Sequence, residues 1–201
     1  ADPRRHNLDS PRRRAAIAAL ATALAAYIAI VLIGSHRTFA NTMAHDSLLL
    51  IDGAYRMLHG ALPHIDFMSP LGVLNFAGPA LFAGADIMLS VARYAGIVAI
   101  VCTLLGAYVA TTRLNLPLAL LFVILIAILT AAPSAIGFPA DHISFAMVYN
   151  RQGYALLMML LLLSLPRKSI AGTSIGGPIA SVLETALIAT ALLFLLHTKA
   201  T

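Results

Sequence analysis

The chain has 201 residues, of which 60% are hydrophobic and only 10% are charged. Soluble domains are about 45–50% apolar and about 25% charged, so this chain has too few polar side chains to cover an apolar interior. Its apolar runs are continuous rather than alternating with period two, which excludes a membrane β-barrel. The composition therefore predicts an all-α, polytopic integral membrane protein.

The net charge of +5 is concentrated ahead of the first apolar run. The residues responsible are Arg4, Arg5, Arg12, Arg13 and Arg14. Arginines in this position are the positive-inside signal of a cytoplasmic N-terminus, and they also attract anionic lipid headgroups. We therefore predict a cytoplasmic basic segment at 1–14, membrane lipid as a partner, and no nucleic-acid partner.

Five apolar runs are predicted to cross the bilayer. They occupy 15–34, 94–112, 116–132, 152–165 and 178–196. The first has flanks like those of a signal peptide, but it is longer than an ordinary signal core and no good cleavage site follows, so we predict a retained first transmembrane helix. The region 93–201 then forms a transmembrane helical bundle, in which Glu184 either lies near the interface or is buried for a function.

The apolar run 70–89 leaves the topology open. It is interrupted by Gly72, Gly78, Pro79, Gly84 and Asp86. If it lies in the interface the chain has five spans, and if it crosses the membrane the chain has six. Both topologies place the same number of Lys and Arg in the cytoplasm, so the positive-inside rule does not decide between them. The pair Arg167-Lys168 favours five spans, since that topology places it in the cytoplasm.

The segment 35–92 is predicted to be an external loop with amphipathic helices. Within it, 46–59 has an apolar face formed by Leu50, Ile51, Ala54, Met57 and Leu58, and a polar face formed by Asp52, Tyr55, Arg56 and His59. Such a helix lies along the membrane surface rather than across it. Asp52 and Arg56 are spaced for a solvated ion pair, and Gly60 suits the left-handed position that ends a helix.

The segment 45–71 is similar to the first external loop of the GT-C membrane glycosyltransferases. The matching residues are Asp46, Gly60, Pro63, Asp66-Phe67 and Pro70-Leu71, and Asp141 stands in the place of a second acidic loop residue. This superfamily includes protein O-mannosyltransferases and lipid A aminoarabinose transferases, which use polyprenyl-phosphate-linked sugars. The resemblance covers roughly 15–165. It implies a protein of the bacterial inner (plasma) membrane with five spans, and with Asp46 and Asp141 on one external face.

The resemblance also implies a chemical role for each of five side chains. Asp46 and Asp141 are predicted to be catalytic carboxylates, because an acceptor needs a general base when it attacks the anomeric carbon. His45, Asp66 and Arg151 are predicted to bind the substrate, a polyprenyl-phosphate-linked sugar. Either Arg151 or a divalent metal then balances the charge of the leaving phosphate.

The same residues have structural interpretations. Asp46 is suited to cap a helix, Asp141 to a polar loop, and Arg151 to extend towards the membrane interface. Metal-ligand residue types occur at His45, His59, His64 and Asp66. Their spacing matches no standard site, so the sequence leaves the cofactor open.

The chain carries about half of the spans found in the superfamily, so we expect it to be the N-terminal part of a longer enzyme. The alternative is a non-catalytic structural or assembly subunit that packs against partner membrane subunits. Small residues favour this alternative because they let helices approach closely. They are Ala26, Gly34, Gly96, Gly106 and Ala107.

Overall fold

The computed structural model describes residues 11–34, 44–133, 144–145, 147–166 and 178–198, with the backbone alone at 178–181. This part of the chain forms helices and no strands, and a single β-bridge joins Pro63 to Phe67. The prediction of an all-α fold is therefore confirmed for the residues described. Asp141 and the pair Arg167-Lys168 lie outside them.

The described residues form seven α-helices. They are α1 Pro11–Ile28, α2 Ala44–Leu58, α3 Leu74–Leu81, α4 Ser90–Arg113, α5 Leu116–Ala131, α6 Val148–Ser164 and α7 Pro178–Thr198. A π-helical turn, Ala29–Ile33, continues α1, and a 3₁₀ turn, Ile87–Leu89, precedes α4. The basic residues 12–14, predicted to precede the first span, lie inside α1, because proline at position 11 is accepted in the first turn of a helix.

Five of these helices, α1, α4, α5, α6 and α7, alternate in direction. At one end of the bundle a buried cluster joins the last turns of α1 and α5 to the first turns of α4 and α6. It contains Ile28, Leu32, Val91, Ala95, Ala99, Ala127 and Val148, together with Leu50 and Ile51 of α2. We call this the α2 end. α7 also finishes there, since the side-chain amide of Asn75 in α3 donates to the carbonyl of Thr198 over 2.6 Å.

The opposite end, which we call the basic end, is where Arg13 and Arg113 lie. A second cluster there joins the start of α1 to the end of α4 and the start of α5. It contains Ile17, Ala21, Ala107, Ala110, Ala119 and Val123. The turn between α4 and α5 is short because Asn115 caps α5, its side chain accepting a hydrogen bond from the N–H of Leu118 over 3.1 Å.

α2 has the amphipathic character predicted for it. Leu50, Ile51 and Ala54 are buried, whereas the predicted polar face is exposed. Leu58 is the exception: it was assigned to the apolar face but is exposed, because it is the last helical residue and lies past the edge of the contact with α3 and α4. Gly60 ends the helix at φ +87°, and the two hydrogen bonds of a Schellman motif are present, confirming the predicted left-handed position.

The run 70–89 does not form one long helix. Its only α-helix within the described chain, α3, has 8 residues and rises about 12 Å, whereas the hydrocarbon core is about 30 Å thick. Arg93 follows in α4 and donates to the carbonyls of Phe82 and Ala83, which closes the end of α3. A side-chain cap at Asp86 then starts the 3₁₀ turn.

Two helical segments, Pro11–Ile33 and Ile87–Arg113, are long and apolar enough to cross a membrane. Leu116–Ala131 and Val182–Thr198 are shorter apolar helices. Large apolar side chains are exposed on the outer faces of all five bundle helices, including Ile30, Val101, Leu121, Leu161 and Leu193. An apolar outer surface of this extent is typical of a protein whose surroundings are lipid.

Candidate active site

The candidate site lies at the α2 end, where α2 begins. Asp46 is in the first turn of α2 and is therefore not the N-cap that was one interpretation of it. A carboxylate in a first turn interacts favourably with the positive end of the helix dipole. The side chain of Asp46 is 32% exposed, and one of its oxygens lies 3.1 Å from Nε2 of the largely exposed His45. Two of the predicted site residues are thus brought into contact.

The start of α6 supplies the second part of the site. Burial and, to a smaller extent, the charge of Asp46 raise the pKa of Tyr149. Tyr149 is half-buried, and it follows Met147, whose left-handed φ of 54° is a conformation that a non-glycine side chain disfavours. Sequence reasoning missed Tyr149, because nothing in a single sequence shows that α2 and α6 begin at the same place.

Arg151 also lies at the start of α6, as the fourth residue of the helix. It is 5% exposed and donates a hydrogen bond to the carbonyl of Ala132, just beyond the end of α5. The guanidinium of Arg151 is therefore held inside the bundle rather than extended away from it. Arg151 places a buried positive charge one turn or less from Tyr149.

Two further polar side chains are buried in this region. Ser47 follows Asp46 and is 3% exposed, and Gln152 lies three residues after Tyr149 and is 1% exposed. Neither the hydroxyl of Ser47 nor the amide of Gln152 has a hydrogen-bond partner within the described chain. Burying an amide or a hydroxyl without a hydrogen-bond partner is costly, which makes these two groups candidates for contact with a ligand.

Asp66 has a different environment from Asp46. It is exposed, and its carboxylate accepts a hydrogen bond from the N–H of Leu62 over 2.7 Å, which stabilises the turn after α2. The neighbouring Phe67 packs edge-on against Phe76 of α3, with Arg56 over its other face. Asp66 thus has a structural role in the turn, and its predicted contact with substrate stays a prediction.

The remaining predictions concern charge pairs and metal. Asp52 and Arg56 form the expected exposed pair, with Oδ2 and Nε 2.8 Å apart. Among the residues that the structure describes, no three His, Cys, Asp or Glu side chains converge to hold a metal ion. Asp141, the second predicted catalytic carboxylate, is outside those residues, and its role stays a prediction.

A buried ion pair at the basic end was not predicted. Arg113 donates from Nη2 to both carboxylate oxygens of Glu184, each at 3.0 Å, and from Nε to the carbonyl of Leu165 at 2.9 Å. The pair joins α4 to α7 and to the end of α6. Glu184 is partly buried and joins these helices at the end opposite to Asp46, and its predicted alternatives, a place near the interface or a buried function, stay predictions. Arg13 donates to the carbonyls of Thr111 and Leu114 nearby.

No protein-family model, no curated protein and no solved structure matches this chain. Arguments about its function therefore depend on the residues at the α2 end and on the way in which the helices bring them together.

Proposed function

We propose that the chain is a polytopic membrane protein, the N-terminal portion of a glycosyltransferase that moves a sugar from a polyprenyl-phosphate donor to an acceptor at the outer face of the membrane. The observation that supports the proposal is that α2, which carries Asp46, and the start of α6, which carries Tyr149 and Arg151, share one buried cluster. The first turns of these two helices carry a partly exposed carboxylate, a buried arginine, and a buried hydroxyl and amide that have no hydrogen-bond partner in the described part of the chain.

The alternating direction of the five bundle helices supports the five-span topology. In this topology, α2 and α3 lie across the end of the bundle where α4 and α6 begin. The first external loop and the start of α6 are then on the same face of the membrane. The short α3 supports the same topology, because 70–89 contains no helix long enough to cross. Arg13 and Arg113 lie at the other end, which the positive-inside rule assigns to the cytoplasm.

The chemistry assigned to the site follows from charge and position. Asp46 is the general base that takes a proton from the acceptor hydroxyl or amine as it attacks the anomeric carbon. Arg151 is the cation that balances the phosphate as the bond to the sugar breaks. Both must lie near the membrane surface, since the donor's phosphate is at the headgroup level while its chain stays in the hydrocarbon.

The alternative, a structural or assembly subunit, was favoured by small residues, and two of these pack within the chain. Gly96 packs against Leu32 and Ile33 of α1, and Gly106 packs against Ile126 of α5. These two glycines bring helices of the same chain together, whereas Ala26 and Gly34, which also favoured the alternative, are exposed.

The proposal is tested by comparing Asp46→Asn with Asp52→Asn in the full-length protein. Removing the charge of Asp46 costs about 0.3–1 kcal/mol of helix-dipole interaction, too little to prevent folding. Loss of a general base should lower transfer from a polyprenyl-phosphate sugar by about 10²–10⁴-fold. Asp52→Asn is the matched control, because it removes an exposed carboxylate from the same helix, and it should transfer normally. Normal transfer by Asp46→Asn, or a larger loss in Asp52→Asn, would contradict the assignment.

A further inference from the structure

Gln152 is a polar side chain that faces the apolar interior of the bundle. It is 1% exposed, and Val148 and Leu156, four residues before and after it in α6, both belong to buried apolar clusters. Residues at this spacing lie on one side of a helix. The amide of Gln152 is therefore turned towards the neighbouring helices and not towards the surroundings of the bundle.

The amide differs from the buried hydroxyls of the same bundle in having no partner. Thr103 and Thr130 each donate to the carbonyl four residues earlier in their own helix, over 2.8 Å. The amide of Gln152 has two donors and an acceptor, and neither its nitrogen nor its oxygen has a hydrogen-bond partner in the part of the chain that the structure describes. An apolar side chain of similar length would be less costly to bury there. The amide thus points to a ligand that supplies the missing partners.

The position of Gln152 on α6 indicates how a ligand reaches it. Gln152 follows Arg151 directly and lies one turn from Tyr149. α6 begins without a side-chain cap, after Met147 in a left-handed conformation with φ 54°. A helix start that lacks a cap and follows a strained residue is less stable than the interior of the helix. A movement confined to the first turn of α6 would therefore open a path to the amide.

The chemistry of an amide selects among the groups of the proposed donor. A phosphate presents acceptor oxygens, which suit the cationic Arg151 and not a carbonyl oxygen. A sugar hydroxyl donates one hydrogen bond and accepts others, so hydroxyls pair with both the oxygen and the nitrogen of an amide. In a polyprenyl-phosphate donor the sugar is bonded directly to the phosphate, so the side chain that binds the sugar is expected beside the one that binds the phosphate.

We propose that Gln152 binds hydroxyl groups of the donor sugar and distinguishes a sugar-bearing polyprenyl phosphate from the bare lipid. The inference rests on the proposed function, because it takes the class of donor from it. Its first test measures only the stability of the protein without ligand, so that test can fail while the proposed function stands.

The first experiment removes the amide and keeps the length of the side chain. Without ligand, Gln152→Met should unfold about 2–12 °C above the wild type, because it no longer buries an unpaired amide. Thr130→Val is the matched control: it removes a buried hydroxyl that has a partner, so it should unfold no higher than the wild type. Thermal unfolding in one detergent is followed by circular dichroism. If Gln152→Met unfolds at or below the wild-type temperature, or fails to fold, the amide already has a stabilising partner and the proposal is overturned.

The second experiment adds the donor to the full-length protein. Undecaprenyl phosphate is compared, at equal concentration, with undecaprenyl phosphate linked to mannose, glucose or aminoarabinose. A ligand that binds the folded state raises the unfolding temperature according to its affinity. For the wild type and Thr130→Val, one of the sugar-bearing lipids should raise this temperature by about 2 °C or more beyond the bare lipid. Gln152→Met should keep the shift caused by the bare lipid and lose the difference.

The outcomes separate the inference from the proposed function. If Gln152→Met kept the full difference between sugar-bearing and bare lipid, the amide would not bind the sugar, and the proposed function would be unaffected. A wild type that responds equally to the bare and the sugar-bearing lipids would also overturn the inference alone. A wild type that responds to none of these lipids would contradict both.

Discussion

Removing one partner of the Arg113–Glu184 pair should destabilise the bundle strongly. Arg113→Met takes away the bidentate contact with Glu184 and the hydrogen bond to the carbonyl of Leu165. The side chains of the pair are 3% and 15% exposed, so little solvent can replace what is lost. Breaking a largely buried ion pair in this way costs about 3–5 kcal/mol, because Glu184 loses its bidentate partner.

The loss of stability is large enough to measure as a shift in the unfolding temperature. A change of 1 kcal/mol shifts the midpoint of thermal unfolding by about 2–4 °C in a chain of 150–250 residues, so Arg113→Met should unfold about 6–20 °C below the wild type. The double variant Arg113→Met with Glu184→Met replaces both charges by apolar groups and should recover most of the difference. Thermal unfolding in one detergent, followed by circular dichroism, measures all the variants.

The exposed pair formed by Asp52 and Arg56 provides the control. Arg56→Met should change stability by no more than about 1.5 kcal/mol, since it removes one exposed helix pair and one exposed contact with the Phe67 ring. If Arg113→Met were as stable as Arg56→Met, or if the double variant at Arg113 and Glu184 were less stable than either single variant, the pair would not hold α7 to the bundle in the way described.

Three further predictions test the packing and the topology. Gly53→Ala should destabilise the protein by about 1–3 kcal/mol, because a Cβ there would lie 2.1 Å from the ring of the fully buried Phe76, as thermal unfolding would show. Gly60→Ala should cost about 1–2 kcal/mol by the same measurement, and from backbone strain alone, since its φ is +87° and nothing lies within 4 Å of the added Cβ. In a variant that lacks Cys102, cysteine introduced at His59 should react with an impermeant thiol reagent in intact cells. Cysteine introduced at Ser164, at the basic end, should react only after the cells are lysed. The reverse pattern would contradict the five-span topology.

The helices of the bundle could be predicted from sequence because each is a continuous apolar run. Their ends were less accurate, since they depend on local caps: α5 begins as predicted after Asn115, whereas α1 begins at Pro11, ahead of the apolar residues. The buried face of α2 was predicted from its period, and Leu58 was misassigned because a periodic pattern does not show where a neighbouring helix ends.

The candidate site was harder to predict than the helices. Asp46 and His45 are neighbours in the chain, so their contact needs no knowledge of the fold. The position of Tyr149 at the same end as Asp46 depends on the packing of two distant helices, α2 and α6. The same is true of Arg113 and Glu184, which are separated by 71 residues. A single sequence contains each residue of such pairs but does not contain the distance between them.

The attachment of α7 at both ends has a consequence for the order in which the protein assembles. Its partners come early in the chain: Asn75 is 123 residues from Thr198, and Arg113 is 71 residues from Glu184. The hairpin of α4 and α5, by contrast, is closed by a turn of a few residues and can form as soon as both helices are inserted. Closure over a long loop costs more entropy and comes later than closure over a short one. We therefore expect α7 to dock last, onto helices that are already paired. Until α7 docks, the guanidinium of Arg113 lacks its contact with Glu184 and the bundle is incomplete. The protein should be most susceptible to degradation at this stage.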